Sequence, residues 1–334
     1  MQLDAFFDPA TQLSAIPDLA RQAEQIGFKG VWLAETQHNP FLAATLVAEQ
    51  TKKIQVGTAI AVSFARSPAI IAQTAFDLAQ LSNGRFQLGL GTQVRGHIER
   101  RFGMDWPDSP VEKLGEQIQL VRNFWNHWQL GAPLNHRGEY YKVTLTSPFF
   151  EPQPIAEPQI PIWIAGVNKG MAHLAGEQAD GFLVHPYHSR DYLQQNILPA
   201  IKAGVQRAGR TDPPKIMVNA FVITNDAERE SVRKQISFYA STPSYHKVMR
   251  HHGWQATAGK LAALAARKKW EEIASLISDE MLATFSVMAT EKDLPEALLQ
   301  RYASFADRIT LYSPYIPGER DSFWHHLSAQ LNGV

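Results

Sequence analysis

Strand-like and helix-like segments alternate along most of this chain. Short runs of β-forming apolar residues are followed by stretches whose apolar residues recur at helical spacing. Clustered prolines interrupt this period at about 129–160, and a long helical stretch interrupts it at about 226–305. The alternation predicts a single α/β domain over residues 1–334, a (β/α)8 TIM barrel with insertions after helix four and between strands seven and eight. The predicted strands are 3–7, 30–35, 54–62, 86–90, 162–165, 181–184, 216–223 and 309–312.

The overall composition argues against several classes of function. Basic and acidic residues each number 32, so the formal net charge is zero, and there is no cysteine. A balanced charge removes the usual electrostatic basis for binding nucleic acid or an anionic membrane. Without cysteine there are no disulfides, thiolate metal sites or cysteine nucleophiles. Neither a bilayer-spanning apolar run nor a secretory leader pattern is visible. We therefore expect a cytoplasmic protein that acts on a small molecule.

Two strands end in small residues. Segment 84–93 reads Gly-Arg-Phe-Gln-Leu-Gly-Leu-Gly-Thr-Gln, and segment 57–62 has the same form. Glycine lets a flat ligand lie directly against the backbone, although tight turns use the same residues. Since barrel active sites lie at the carboxyl ends of the strands, a ligand is expected there.

Polar side chains at the strand ends are the candidate site residues. No histidine pair among them has the helical spacing of a metal site, and no carboxylate joins them in a recognisable pattern. We therefore expect no metal, and instead histidines that form hydrogen bonds in a cofactor pocket. The charged segment 95–101 either holds an anionic cofactor tail or an anionic substrate, or is an ion-paired surface loop. The candidates are Glu35 and His38 after strand two, Thr92, Arg95 and His97 after strand four, and His185 after strand six.

The turn after strand five is a candidate anion site. Gly166, Val167, Asn168 and Lys169 lead directly into a predicted helix. Free N–H groups and the helix dipole favour phosphate at such a position, and Lys169 adds positive charge. An ordinary helix start capped by Asn168 explains the same residues equally well.

Four segments together resemble the luciferase-like superfamily. Leu33-Ala34-Glu35, 57–60, Ser67-Pro68 and 84–92 are similar to those of flavin- and coenzyme F420-dependent TIM-barrel oxidoreductases. A closer resemblance, to a subgroup described as F420-dependent, rests on other segments. These are 35–41, 64–68, 97–102 and 238–243.

The resemblance implies roles for individual residues. A non-proline cis peptide at Ala59–Ile60 would support the ring, and the turn of Gly166, Val167, Asn168 and Lys169 would bind the cofactor phosphate. Thr92 would face the ring, and Arg95 would meet an anionic tail. His38 is the imidazole nearest to the position that the family uses in catalysis, with Glu35 and His97 as further candidates.

Two departures from the family pattern limit the substrate. Thr36 stands where relatives place a histidine, and Val94 stands where the deazaflavin dehydrogenases place a glutamate. Glucose-6-phosphate oxidation is therefore not expected.

Three functions are compatible with the resemblance. The first is an F420-dependent oxidoreductase that transfers a hydride to or from the deazaflavin. The second is an FMN-dependent monooxygenase that uses O2 and reduced flavin from a separate flavin or F420 reductase. The third is a flavin-binding protein without catalysis. The resemblance and the apolar helices at 41–47 and 70–78 also predict a homodimer.

Overall fold

Parallel strands close into a barrel in the computed structural model, which describes residues 1–333. The hydrogen-bonded order is β1-β2-β3-β5-β8-β9-β10-β12, and β12 pairs back with β1. This order confirms the predicted (β/α)8 TIM barrel. The strands are β1 (Gln2–Phe6), β2 (Gly30–Leu33), β3 (Gln55–Thr58), β4 (Ala61–Val62), β5 (Phe86–Gly91), β6 (His136–Arg137), β7 (Lys142–Val143), β8 (Ile162–Gly166), β9 (Gly181–Val184), β10 (Lys215–Ile223), β11 (Ser286–Met288) and β12 (Arg308–Leu311).

Several helices begin at signals that are visible in the sequence. Asn39, Ser67 and Ser109 each accept a hydrogen bond from an amide of the first turn, and a proline follows each of them. No helix within residues 1–333 is long and apolar enough to cross a membrane. The helices are α1 (Ile16–Ile26), α2 (Pro40–Gln50), α3 (Pro68–Leu81), α4 (Arg95–Arg100), α5 (Pro110–Leu130), α6 (Lys169–Gln178), α7 (Arg190–Tyr192), α8 (Leu198–Arg207), α9 (Asp226–Ala240), α10 (His246–His251), α11 (Gln255–Ala266), α12 (Trp270–Ile273), α13 (Asp279–Phe285), α14 (Leu294–Tyr302) and α15 (Asp321–Asn332).

A hydrogen-bonded cluster fills the barrel below its mouth, and we call it the barrel floor: Asp4, Trp32, Gln87, Trp163 and Arg308. The guanidinium of Arg308 contacts both carboxylate oxygens of Asp4, at 2.6 and 2.7 Å, and Trp32 Nε1 donates to Asp4 Oδ2 at 2.8 Å. Trp163 Nε1 donates to Gln87 Oε1 at 2.9 Å. Each of these buried polar groups is therefore paired, which removes most of the cost of burying it.

The structure corrects several local predictions. The predicted strand 54–62 is divided into β3 and β4 by the peptide between Ala59 and Ile60, and strand two ends at Leu33, before Glu35. Part of the charged segment 95–101 is the helix α4, not a loop. The helical segment after β9 is not uniform, because a π-helical stretch, Leu193–Ile197, lies between α7 and α8.

The segment between β10 and β12 contains a strand that the sequence did not reveal. β11 pairs in parallel with the last three residues of β10. Because β11 is only three residues long and directly follows α13, it lacks the alternation of apolar and polar residues by which a strand is recognised. Within the proline-rich segment 129–160, β6 and β7 pair as a short antiparallel hairpin.

Candidate active site

Small apolar groups line one half of the barrel mouth, at the ends of β3, β5 and β8. We call Ala59, Ile60, Gly91 and Ala165 the shelf. The Ala59–Ile60 peptide is cis, as the resemblance implied. A Cβ atom on Gly91 would lie 2.7 Å from Ile60 Cγ1, so only glycine lets β5 approach Ile60 this closely. Ala59, Ile60 and Ala165 pack on the tryptophans below and remain partly exposed above. The shelf is therefore a shallow apolar surface open to the mouth.

Aromatic rings line the other half of the mouth. We call Phe6, His185, Tyr239, Tyr245 and Tyr312 the aromatic wall. Phe6 stacks on Tyr312 with ring centroids 5.4 Å apart, and the hydroxyls of Tyr239 and Tyr312 are hydrogen-bonded at 2.6 Å. The His185 ring lies 4.7 Å from that of Tyr239 and 4.8 Å from that of Tyr245. All five side chains are partly exposed, so the wall faces a space opposite the shelf.

The two histidines after β9 are neutral hydrogen-bonding groups. Burial, followed by the nearby His188, lowers the pKa of His185 to about 3. The backbone N–H of Tyr187 donates to His185 Nδ1 at 3.1 Å, which places the ring proton on Nε2. Burial lowers the pKa of His188 to about 4, and its ring contacts the His185 carbonyl and the Tyr302 hydroxyl. His185 thus offers an N–H donor at the mouth and is a poor proton acceptor.

Unpaired polar atoms lie just below the mouth. Asn219 Oδ1 and Thr310 Oγ1 are buried without a hydrogen-bond partner, and the two residues are neighbours across β10 and β12. Each is two residues beyond a side chain of the barrel interior, Met217 and Arg308, so each faces inward. A native structure rarely leaves such atoms unpaired. Together with the shelf, they fit a flat ring that carries polar groups at its edge.

Glu35 is held by a salt bridge within the site. Its carboxylate accepts two hydrogen bonds from Arg66, each 2.7 Å, and a third from the Val62 backbone N–H at 2.6 Å. The side chains of both residues are largely buried. Glu35 therefore fixes the chain after the cis peptide, and this role competes with the catalytic role predicted for it.

The other predicted catalytic and cofactor-binding residues differ in their surroundings. His38 is partly buried, and its ring has no hydrogen-bond partner within residues 1–333. His97 is exposed on α4. The Thr92 hydroxyl donates to the Gln93 carbonyl at 3.1 Å. Arg95 is exposed and pairs with Glu99 at 2.8 Å, as the ion-paired alternative for this segment requires.

The turn after β8 differs from an ordinary helix start, because no side chain caps α6. Asn168 precedes α6, but its side chain does not cap the helix and instead donates to the Ser244 carbonyl at 3.3 Å. The first N–H groups of α6 are therefore left without a side-chain acceptor. A Cβ atom on Gly166 would lie 2.4 Å from Met171 Cβ, so the turn itself requires this glycine. The Val167 carbonyl accepts from Tyr192 Oη at 3.2 Å.

A basic cavity of about 290 Å³ opens beside this turn. Lys169, Lys247 and Arg250 supply its positive charge. No motif marks Lys247 and Arg250 in the sequence, because only tertiary folding brings α10 close to the start of α6. The cavity is lined by Lys169, Gly170, Tyr192, Asn196, Lys247, Arg250 and His251.

Asp191, His251 and His252 form a cluster at the rim of this cavity. Their ligand atoms lie within 4.8 Å of one another, which is compatible with a metal ion. Existing hydrogen bonds account for them: His251 Nε2 contacts Asp191 Oδ2 at 3.0 Å, and His252 Nε2 contacts Ser189 Oγ at 2.8 Å. The neighbouring cations Lys247 and Arg250 would repel a divalent ion.

Comparisons with known proteins agree with the barrel fold. Residues 3–308 match the family model described as luciferase-like monooxygenase. An uncharacterised protein of Mycobacterium tuberculosis is 40% identical over 305 residues, which cover 89% of each chain. The F420-dependent glucose-6-phosphate dehydrogenase of Amycolatopsis mediterranei is 27% identical and covers 76% of this chain and 79% of its own.

A solved structure shares the fold over nearly the whole length. The coenzyme F420-dependent tetrahydromethanopterin reductase of Methanopyrus kandleri superposes with a TM-score of 0.81 and 20% identity. The alignment covers 99% of this chain and 98% of that one.

Proposed function

Because the chain belongs to the luciferase-like monooxygenase family and is an oxidoreductase of that family, we propose that it uses coenzyme F420. In this proposal a hydride passes between C5 of the deazaflavin and a small organic substrate. The observation that carries it is the dependence on F420 of a curated relative and of a structural neighbour that matches almost the whole chain. The bound cofactor supplies the carbon that gives or takes the hydride. The protein supplies binding, orientation and the accompanying proton.

The geometry of the mouth suggests how the chain would hold the cofactor. The shelf supports one face of a flat ring, and the unpaired Asn219 Oδ1 and Thr310 Oγ1 lie below it. His185 donates from Nε2 to a polar atom at the mouth. The uncapped amides of α6 take the phosphate, next to Gly166, Val167, Asn168 and Lys169.

His38 is the candidate for proton transfer to or from the substrate. Its ring is free of protein partners, whereas Glu35 is engaged with Arg66. Imidazole is suited to proton exchange near neutral pH. His97, exposed on α4, is the alternative if the substrate approaches from that side.

A binding titration decides between the two cofactors. We expect F420 to bind more tightly than FMN, followed by the change in deazaflavin or flavin fluorescence. Micromolar binding of FMN with none of F420 would favour the second candidate, which the family description itself supports: a monooxygenase that uses O2 and reduced FMN from a separate reductase.

Substrate choice is proposed to differ from that of the glucose-6-phosphate dehydrogenases. Thr36 and Val94 stand where those enzymes carry their acid and base, so a catalytic pair is missing. We expect no reduction of F420 by glucose-6-phosphate, under conditions in which a dehydrogenase of that class serves as the positive control.

A homodimer is also proposed. Leu42 on α2 and Ile70 on α3 are large apolar side chains that are 55% and 54% exposed. Two such residues on neighbouring helices favour burial against a second copy. Light scattering at micromolar concentration tests this, and a monomer mass would contradict it.

A further inference from the structure

Three cations meet at the basic cavity, and a single carboxylate, that of Asp191, lies at its rim. The side chains of Lys169, Lys247 and Arg250 form no hydrogen bond or ion pair within residues 1–333. Asp191, the acidic residue of the neighbouring cluster, is already engaged with His251 at 3.0 Å and with Gln195 at 2.7 Å. Like charges repel, so this arrangement disfavours the empty cavity and favours an anion within it.

The cavity is larger than one phosphate needs. Its volume is about 290 Å³. A phosphate has five heavy atoms, which at roughly 30 Å³ for each water-sized group fill about half of such a space. The amides at the start of α6 are the natural place for a phosphate, whereas Lys247 and Arg250 belong to α10, a different part of the cavity lining. Room and charge are thus left for a second anionic group.

Resting on the proposed function, we propose that Lys247 and Arg250 bind carboxylates of the oligoglutamate tail of F420, beyond the phosphate that lies beside Lys169. Arginine matches a carboxylate with two parallel hydrogen bonds, and lysine adds a compact charge. FMN ends at its phosphate and gives these residues no partner. The cavity therefore selects F420 over FMN. In this proposal it binds the anionic tail in place of Arg95, whose side chain is paired with Glu99.

The test compares three ligands on one double variant. The ligands are F420 with its glutamates, the same cofactor trimmed back so that the phosphate remains and the glutamates are gone, and FMN. Lys247→Gln/Arg250→Gln removes two charges from exposed positions, so the fold is expected to persist. Lys260→Gln/Arg267→Gln is the matched control, because these residues lie at α11 and outside the cavity.

We expect affinity for tailed F420 to fall about tenfold or more in the cavity variant, and affinity for the other two ligands to change less than about twofold. The control double variant should bind all three as the wild type does. Added salt should reduce the wild-type preference for the tailed cofactor, since the contacts are partly exposed ion pairs.

Other outcomes overturn the assignment. An equal loss for all three ligands means that the cavity holds the phosphate. Unchanged cofactor binding with a raised KM for an anionic substrate means that the anion comes from the substrate. No change in any measurement means that these cations serve no ligand. In each of these cases F420 still binds the wild type, whereas complete absence of F420 binding would overturn the proposed function itself.

Discussion

Buried polar groups are paired on the floor of the barrel, whereas two of them at the mouth are unpaired. On the floor, Asp4, Arg308, Trp32, Gln87 and Trp163 are buried and each finds a partner. At the mouth, buried oxygens of Asn219 and Thr310 remain unpaired. The same strands pass through both regions, so strand composition alone does not explain the difference. The floor is complete without a ligand, and the mouth is arranged for groups that the protein does not contain.

The largest effect is expected on the floor. Arg308→Met removes the cation from Asp4 and leaves a buried carboxylate without its main partner. We expect a loss of about 3–5 kcal/mol in the free energy of unfolding, measured by urea denaturation. Arg21→Met, in the exposed pair with Asp18, is the control and should cost less than about 1 kcal/mol. Similar losses of unfolding free energy in both variants would show that the buried pair of Asp4 and Arg308 contributes no more than an exposed ion pair.

Acid should lower the stability of the folded protein through His188. Burial lowers its pKa from the ordinary 6.5 to about 4. Between these two pH values the unfolded chain binds a proton at His188 and the folded chain does not. Stability is therefore lost as the pH falls from about 6.5 to about 4, by about 3 kcal/mol from this group. Urea denaturation of His188→Gln at several pH values should show a shallower acid loss than the wild type. His326→Gln, an exposed control, should keep the wild-type slope, and an unchanged slope in both would contradict this.

Packing of the floor can be tested at a glycine. A Cβ atom on Gly181 would lie 2.0 Å from Trp163 Cε3. Gly181→Ala should therefore cost about 1–3 kcal/mol by overpacking, seen as a lower midpoint of thermal unfolding. Gly259→Ala, in α11 with nothing within 4 Å of the new atom, should instead stabilise the protein by up to about 1 kcal/mol. A Gly181→Ala variant as stable as the wild type would show that Trp163 can shift to accommodate the added methyl group without loss of stability.

The smallest expected change in free energy is at His38. His38→Ala should lower turnover at least about tenfold, or 1.4 kcal/mol in the activation barrier, with unfolding and cofactor binding kept. The measurement is kcat together with a cofactor titration. An unchanged rate would transfer the proposed role to His97.

The sequence predicted what local signals determine. Ser67 and Pro68 mark the start of α3 by their own chemistry, and glycines and small residues mark the ends of the strands. It did not reveal what distant segments build together. Lys247 and Lys169 line one cavity only because folding brings α10 near the start of α6, and the Glu35 carboxylate is occupied only because Arg66 lies beside it. Neither relation has a periodicity or a motif that a single sequence displays.

Closure of the barrel by β12 against β1 has a consequence for synthesis of the chain. Asp4 and Arg308 are 304 residues apart in sequence, yet they share one salt bridge. At roughly 5–20 residues per second, a ribosome needs on the order of 15–60 s to deliver the second partner after the first. During that interval one edge of β1 has no neighbour, and an open edge is a template for pairing with other chains. Docking of β2 covers only the opposite edge of β1, so the edge that β12 will fill must be shielded from other chains until β12 arrives.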